Sequence, residues 1–224
     1  MGRYTAMSED WLTRVAELRR EYAGRGLDER AVAPTWLSQF QAWLDDAIAA
    51  GALEPNAMIV ATADGAGRPG ARTVLLKGVD ERGFAFFTNL RSAKGRQAAE
   101  NPRAALVFPW LDLARQVVVA GAVEAVDAAE ADAYWAGRPR AAQVSALASP
   151  QSSRLDSREE LVARRAEVEA EHADGPVPRP DHWGGLRVAP DAVEFWQGRP
   201  DRMHDRIRYR RADGGAWVVE RLAP

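Results

Sequence analysis

The spacing of apolar residues changes along the chain, from helical periodicity near the N-terminus to strand-like runs after residue 57. Over residues 8–23 and 35–50, apolar side chains recur every three or four positions, which predicts two amphipathic helices. The second helix is expected to bury one face, which consists of Trp36, Phe40, Trp43, Leu44 and Ile48.

Short runs rich in β-branched and aromatic residues, bounded by turn-forming residues, predict strands in the rest of the chain. The first five runs cover residues 57–63, 71–79, 84–89, 103–110 and 115–126, and four more follow as LRVAP, AVEFWQG, IRYRR and AWVVERL. Helices are predicted over residues 92–101, 127–138 and 157–173, with a helical turn or two after Pro139.

These elements predict a mainly β (α+β) fold, in which an antiparallel β-barrel carries peripheral helices. We expect a single domain over residues 1–224, because the connector at 174–185 is too short to separate an independent unit. Its parts are an N-terminal helical segment (1–55), a barrel core (57–126), a helical insertion (127–173) and C-terminal barrel strands (185–224).

Composition excludes several classes of protein. The 224 residues carry 30 basic and 32 acidic side chains, and this balance argues against binding to nucleic acid. The chain has no cysteine, and His172, His182 and His204 lack the spacing of metal ligands. No apolar run approaches the ~20 residues that cross a bilayer, and the N-terminus lacks the apolar core of a secretory signal. We therefore expect a cytoplasmic protein without a metal, a nucleic-acid partner or a membrane partner.

Two lysines stand out against an arginine background, since Lys77 and Lys94 are the only lysines among the 30 basic residues. Lys94 falls in the first turn of the helix predicted over residues 92–101, where an anion would also be favoured by the helix N-terminus. Arg72 and Lys77 flank one apolar run, but their separation of five would send them to opposite faces of a regular strand. They share a ligand only if a bulge or a turn intervenes, and otherwise they reach solvent.

Arg202, His204 and Arg206 form the sharpest local pattern, because in extended backbone all three side chains would point to one side. A phosphate among them would relieve the repulsion between the two guanidinium groups. The alternative is a solvated edge strand whose charge is neutralised by Asp201 and Asp205.

Other polar and aromatic positions are open to two interpretations. Tyr134 and Arg138 lie four residues apart on one helix face, which suits either a shared ligand or a surface stack. Gln151 and Ser152 belong either to a ligand-binding loop or to a plain turn. Trp196 belongs either to the core or to a ligand-stacking surface.

Taken together, the ordered segments of this chain resemble the pyridoxamine (pyridoxine) 5'-phosphate oxidases, which are flavoenzymes with a split β-barrel fold. The resemblance extends from LRREY at residues 18–22 to RLAP at residues 221–224. It is carried by RTVLLK, FFTNL, SAKGRQ, NPRAALVFPW, RQVVVAGAVE, YWAGRPR, QSSR, WGGLRV and EFWQGRPDRMHDR.

The resemblance implies FMN at the interface of a homodimer and oxidation of pyridoxamine or pyridoxine 5'-phosphate to the aldehyde, with O2 as acceptor and H2O2 as product. It assigns FMN contacts to Arg72, Lys77, Phe87, Thr88, Lys94, Gln116, Gln151, Ser152, Trp196 and Arg206. It assigns substrate contacts to Arg19, Arg20, Glu21, Tyr22, Lys77, Tyr134, Arg138, Arg202 and His204. Among these, Arg202 and His204 would be the catalytic pair that holds and polarises the group at C4′.

Three residues depart from the family pattern and keep alternatives open. Ala93 replaces an arginine in the segment that binds the FMN phosphate, and Arg91 and Arg96 are candidates for replacing its charge. Phe87 replaces a tyrosine, and Ala142 replaces a serine that contacts the substrate phosphate. One alternative is a related split-barrel flavin oxidase that acts on another ring system, such as a reduced phenazine precursor. The other is a non-enzymatic protein that binds a flavin or pyridoxal phosphate.

Overall fold

The computed structural model describes Arg14, Glu17, Leu18, Tyr22 and residues 26–224. The helix predicted over residues 8–23 therefore falls almost entirely outside the described residues. The same is true of three substrate contacts implied by the resemblance, namely Arg19, Arg20 and Glu21.

Five α-helices and nine strands are present in the described part of the chain. The helices are α1 (Trp36–Ala49), α2 (Ala93–Glu100), α3 (Ala128–Ala136), α4 (Arg140–Ala148) and α5 (Arg158–Glu171). The strands are β1 (Ala57–Ala63), β2 (Pro69–Leu75), β3 (Gly78–Asp80), β4 (Gly83–Asn89), β5 (Arg103–Trp110), β6 (Arg115–Ala125), β7 (Trp183–Gln197), β8 (Asp205–Arg211) and β9 (Trp217–Leu222).

All nine strands join one antiparallel sheet in the order β2-β1-β5-β6-β7-β4-β3, with β8 beside β7 and β9 beside β8. Five of the eight strand pairs join consecutive strands through short connections, whereas β1–β5, β6–β7 and β4–β7 bring distant parts of the chain together, and the helices lie around the sheet. This arrangement confirms the predicted mainly β class with peripheral helices. No helix among the described residues is long and apolar enough to cross a membrane.

Strand β7 is longer than predicted. The segments LRVAP and AVEFWQG form one strand, which stays paired with β6 from Leu186 to Gln197. A register shift between Ala120 and Gly121 of β6 accommodates Asp191 as an extra residue without a partner in this ladder. Gly121 makes this possible, since a Cβ there would lie 1.9 Å from the carbonyl oxygen of Ala189. The result is a single strand of 15 residues that pairs with β6, β4 and β8.

The run predicted as one strand over residues 71–79 is divided into β2 and β3. Between them the chain changes partner: Leu76 N donates to Asn56 O on the β1 side, whereas Lys77 N donates to Ala85 O of β4. The alternation of β2 therefore stops before Lys77. The alternation of a regular strand therefore does not fix Arg72 and Lys77 on opposite faces, and a shared ligand stays a prediction.

Helix α1 packs on the sheet through aromatic side chains. Thr35 caps the helix by accepting a hydrogen bond from Ser38 N, and Phe40 packs against Phe84 and Phe108 with both ring centroids at 4.9 Å. The predicted burial of Ile48 is wrong, because its side chain is 56% exposed. Ala47 occupies the buried face instead, four residues after Trp43.

Candidate functional site

A cavity of about 590 Å³ lies between the β2 and β4 strands and helices α3, α4 and α5. That volume suits a small organic ligand. Of the described residues that line it, four are cationic and none is a carboxylate, although the whole chain has a formal net charge of −2. The four cations are Lys77, Lys94, Arg138 and Arg165.

Lys94 is nearly buried at the start of α2, the helix that Ser92 caps. Its Nζ donates to Gln151 Oε1 at 3.1 Å, to Thr88 Oγ1 at 3.2 Å and to Ser92 Oγ at 3.4 Å. These partners are all neutral. Burial lowers the pKa of Lys94, and the nearby positive charge of Arg72 lowers it further. An anion in the cavity would relieve both effects.

Arg72 is also held by neutral oxygens. Its guanidinium donates to Thr62 Oγ1 at 2.7 Å, to Gln97 Oε1 at 3.1 Å and to Val60 O at 3.2 Å. Burial lowers its pKa. Arg72 and Lys94 are thus two neighbouring cations without a carboxylate partner in the described structure, which is the electrostatic signature of an anion site.

Three aromatic rings stack along another wall of the cavity. The ring centroid of Phe87 lies 3.9 Å from that of Tyr134, with an interplanar angle of 4°. It lies 5.6 Å from the ring centroid of Trp183, with an interplanar angle of 9°. The Arg138 guanidinium lies over the Trp183 ring at 4.8 Å. Trp183 was not singled out from the sequence; its place as the first residue of β7, directly after a Pro-rich connector, gave no signal of its own.

The guanidinium group of Arg138 uses only some of its hydrogen-bond donors. One Nη donates to Ala142 O at 3.1 Å, whereas its Nε is buried and has no hydrogen-bond partner among the described residues. A buried polar atom without a partner is costly, so a ligand that accepts from Nε would stabilise this side chain. Lys77 is exposed at the cavity edge, and no ion pair joins it to another described residue.

A second group of predicted site residues lies at the far end of β7. Trp196 pairs with Gln116 across the β6–β7 ladder, and its ring lies 4.7 Å from His204. Tyr22 meets both rings edge-on, each at 5.8 Å. His204 Nδ1 accepts a hydrogen bond from the backbone N–H of Arg199 at 3.1 Å. Trp196 is half-buried and therefore does not belong wholly to the core.

The prediction that Arg202, His204 and Arg206 share one face of a strand is wrong. Strand β8 begins only at Asp205, and Arg202 ends a 3₁₀ turn with φ +60°. The chain turns here because Asp201 and Arg202 both adopt left-handed backbone angles, which the regular alternation of a strand does not allow.

Arg206 lies in β8, and its positive charge is already balanced by the carboxylate of Glu194. It forms a paired contact with Glu194, with Nε–Oε1 at 2.7 Å and Nη2–Oε2 at 3.0 Å, and this hydrogen bonding raises the pKa of Arg206. Asp205, which the sequence suggested as the neutralising group, pairs with Arg221 at 2.7 Å instead. The FMN contact assigned to Arg206 therefore remains a prediction.

The other assigned residues have different surroundings. Gln151 lines the cavity, but Ser152 is exposed with φ +71° and is not part of the cavity lining. Arg91 and Arg96 are exposed, Arg96 donates to the Arg91 carbonyl, and neither side chain lines the main cavity. Compensation by either arginine for the charge missing at Ala93 stays a prediction.

The two groups of residues are far apart within one chain. Trp183 begins β7 and lines the cavity, whereas Trp196 lies 13 positions later on the same strand. At about 3.3 Å per residue, this corresponds to about 40 Å along the strand. Among the described residues, no group of three His, Asp or Glu side chains could hold a metal ion.

Known protein families match both the part of the chain that forms the cavity and the part that contains Trp196 and His204. The model of the family "Pyridoxamine 5'-phosphate oxidase" matches residues 44–172, and that of the "Pyridoxine 5'-phosphate oxidase C-terminal dimerisation region" matches residues 183–224. A pyridoxine/pyridoxamine 5'-phosphate oxidase of Salinispora arenicola is 55% identical over 93% of this chain and 96% of its own length. One of Cupriavidus necator is 52% identical over 95% of this chain and its full length.

A solved structure supports the split-barrel architecture. PhzG from Burkholderia lata, crystallised with tetrahydrophenazine-1-carboxylic acid, has a TM-score of 0.84 to this chain. It is 32% identical and covers 91% of this chain and all of its own. The fold expected from the resemblance is therefore confirmed.

Proposed function

The chain belongs to the pyridoxamine 5'-phosphate oxidase family, and from this premise we propose that it oxidises pyridoxamine 5'-phosphate, pyridoxine 5'-phosphate or both to pyridoxal 5'-phosphate. The flavin that this family uses would here be FMN, O2 the acceptor and H2O2 the second product. The observation that carries the proposal is the cavity with four lining cations and no lining carboxylate among the described residues. Cofactor and substrate each bring one phosphate, and such a cavity suits two of them.

The FMN phosphate would bind beside α2. Lys94 and Arg72 supply two positive charges there, and within the described structure both donate to neutral oxygens. Thr88 and Gln151 already contact the Lys94 amine and would help to orient it. The N-terminus of α2 adds a favourable dipole for an anion. The surroundings of these residues therefore fit a flavin phosphate without further charged groups.

The substrate phosphate would bind near Arg138. The unpartnered Nε of this residue needs an acceptor, and the Tyr134 ring, stacked on Phe87, lies against the same cavity. Lys77 at the cavity edge adds a mobile positive charge. The stacked rings offer flat apolar surface on which a pyridine ring could lie.

FMN, when bound, would supply the redox chemistry, a two-electron oxidation of the substrate with O2 as the final acceptor. The protein must orient C4′ and exclude water from the reacting atoms. We assign Arg202 and His204 to the C4′ amine or hydroxyl group. In neutral His204, Nδ1 accepts from Arg199 N–H, so the ring proton is on Nε2, which is then available to donate.

A homodimer would bring the two halves of the site together. Up to about 40 Å of β7 separates the two groups within one chain, and a second copy can bring Trp196, Arg202 and His204 to the cavity. These residues lie within the matched dimerisation region, residues 183–224. We therefore propose that each active site combines the cavity of one subunit with the far end of β7 of its partner.

The principal experiment is an absorbance spectrum of the purified protein, followed by addition of pyridoxamine 5'-phosphate under air. We expect flavin absorption near ~450 nm, aldehyde formation and release of H2O2 in equal amounts. Arg202→Leu should lower kcat/KM by orders of magnitude while FMN remains bound. A protein with bound flavin that releases no H2O2 with this substrate would contradict the proposed oxidase.

Subunit complementation tests the shared site. Arg138→Gln and Arg202→Leu should each be inactive alone, because each removes one half of every site. After joint unfolding and refolding, half of the dimers are mixed, and one of the two sites in each mixed dimer is intact. We expect about a quarter of the wild-type activity. Failure to recover activity from refolded mixed dimers would place both halves in one chain.

The alternative substrate class rests on Ala142, which lines the cavity where the family pattern has a phosphate-contacting serine. The structural similarity to PhzG favours a test of this option. Turnover should therefore be compared between pyridoxamine 5'-phosphate and a reduced aromatic carboxylate. Faster turnover of the carboxylate would replace the proposed substrate and keep the flavin.

A further inference from the structure

Helices α4 and α5 pack against each other and form a wall of the main cavity. Ser145 of α4 and Arg165 of α5 both line this wall. Arg165 lies outside every sequence segment that carries the family resemblance, and neither residue has been given a role above. Their chemistry, a hydroxyl and a guanidinium, suits an anionic group of the ligand.

Ser145 lies one helical turn after Ala142 on the same face of α4. In an α-helix, residues three positions apart have Cβ atoms about 5–6 Å from each other. The Ser145 hydroxyl makes no hydrogen bond with any residue in the part of the chain that the structure describes. It is therefore available to a ligand close to the position where Ala142 lacks a hydroxyl.

Arg165 is held only weakly by its ion-pair partner. Its Nη2 lies 3.6 Å from Glu169 Oε2, which is longer than a hydrogen bond, and both side chains are nearly half exposed. Glu169 also faces Arg140 Nε at 3.5 Å. The carboxylate therefore keeps a positive neighbour when Arg165 turns away, and little electrostatic stabilisation opposes that movement.

We propose that Arg165 and Ser145 bind the substrate phosphate together with Arg138, and that Arg165 exchanges Glu169 for the phosphate when the substrate binds. This inference rests on the proposed function, because it assigns the phosphate of that substrate to this wall. Because both residues are assigned to the phosphate and not to C4′, they should determine KM and selectivity for phosphorylated ligands rather than kcat.

The test for Arg165 measures ligand binding to the FMN-loaded protein by titration calorimetry. We expect Arg165→Gln to weaken binding of pyridoxal 5'-phosphate about fivefold to tenfold and to leave binding of unphosphorylated pyridoxal unchanged. Arg164→Gln is the matched control, because Arg164 is adjacent on α5 and forms a similar i,i+4 pair with Glu160 at 2.9 Å. It should bind both ligands as the wild type does.

Glu169→Gln should change the affinity for pyridoxal 5'-phosphate in the opposite direction to Arg165→Gln. Without the carboxylate, Arg165 is no longer held away from the phosphate, so we expect binding of pyridoxal 5'-phosphate to tighten about twofold. A purely structural role of the Arg165–Glu169 pair would instead make both variants bind worse. The KM for pyridoxamine 5'-phosphate should follow the same order, with kcat unchanged.

Ser145 is tested by loss and rescue. Ser145→Ala should weaken binding of pyridoxal 5'-phosphate about threefold to tenfold, and Ala142→Ser in that background should restore it, since the hydroxyl returns one turn away. Equal binding of pyridoxal 5'-phosphate by wild type, Arg165→Gln and Ser145→Ala would overturn the inference alone. A wild type that binds pyridoxal as tightly as its phosphate would instead overturn the proposed function.

Discussion

Replacing Lys94 with methionine should weaken FMN binding only by removing the interaction between the Lys94 ammonium group and the FMN phosphate. Methionine keeps the length and the apolar stem of lysine and removes the ammonium group that contacts Thr88, Ser92 and Gln151. In the protein without ligand this charge is unfavourable, because burial and Arg72 lower the pKa of Lys94. The variant should therefore fold as stably as the wild type.

The magnitude follows from the contact that the phosphate would make. A hydrogen bond to a charged group contributes about 1.5–3 kcal/mol. At 1.36 kcal/mol per factor of ten, the Kd for FMN should rise about 10-fold to 160-fold. We expect the upper half of this range, because phosphate binding also offsets the charge repulsion between Lys94 and Arg72.

Fluorescence titration of the flavin-free protein measures this effect, with riboflavin as the matched ligand. Riboflavin has the same ring system and no phosphate, so its affinity should be equal in wild type and Lys94→Met. An equal loss of affinity for both flavins would indicate general damage to the cavity. An unchanged Kd for FMN would refute the assignment of the phosphate to Lys94.

The remaining predictions concern the fold around the site. Arg187→Met should lower the free energy of unfolding in urea by about 1–3 kcal/mol, because Arg187 is 4% exposed and donates charged hydrogen bonds to Asp80 and to both oxygens of Glu130. Arg82→Met, which touches the same carboxylates from an exposed position, should cost less than about 1 kcal/mol. Hydrogen bonding by Arg82 and the charge of Arg187 lower the pKa of Asp80. Its contribution to stability is thus complete above the ordinary pKa of about 4 and is lost as the pH falls through the lowered value, so Asp80→Asn should flatten the acid limb of the stability–pH curve. Gly121→Ala should destabilise the protein by at least about 1–3 kcal/mol in the same urea assay, because its Cβ would meet the Ala189 carbonyl oxygen at 1.9 Å.

Local patterns were sufficient to predict most of the elements. Apolar periodicity gave α1, and the capping residues Ser92 and Ser157 gave the starts of α2 and α5. The prediction failed where the outcome depended on distant partners. The division between β2 and β3 results from an exchange of partner at Leu76 and Lys77, and no local signal in an apolar run reports which strand will pair with it.

The candidate site was predictable to a different extent. The resemblance named Lys94 and Arg138, which the structure brings to one cavity, but the strand argument for Arg202 failed because the backbone turns at Asp201. Arg165 gave no signal, since one arginine in an arginine-rich charged helix has no distinguishing sequence pattern. Its position at the cavity depends on how α5 packs against α4, which is a property of the tertiary structure.

Partner chemistry distinguishes the cations that we assign to the two phosphates from Arg187 and Arg206. Arg187 and Arg206 each meet a carboxylate in a two-oxygen contact, so their charge is already compensated within the fold. Arg72, Lys94 and Arg138 contact neutral oxygens, and one Arg138 nitrogen has no partner. A buried cation without a counter-ion raises the free energy of the ligand-free protein, and a bound phosphate removes that cost. In a chain where arginine is abundant, a cation without a carboxylate partner among the described residues is therefore a more selective mark of the binding site than arginine itself, and Arg165, with its long pair to Glu169, is an intermediate case.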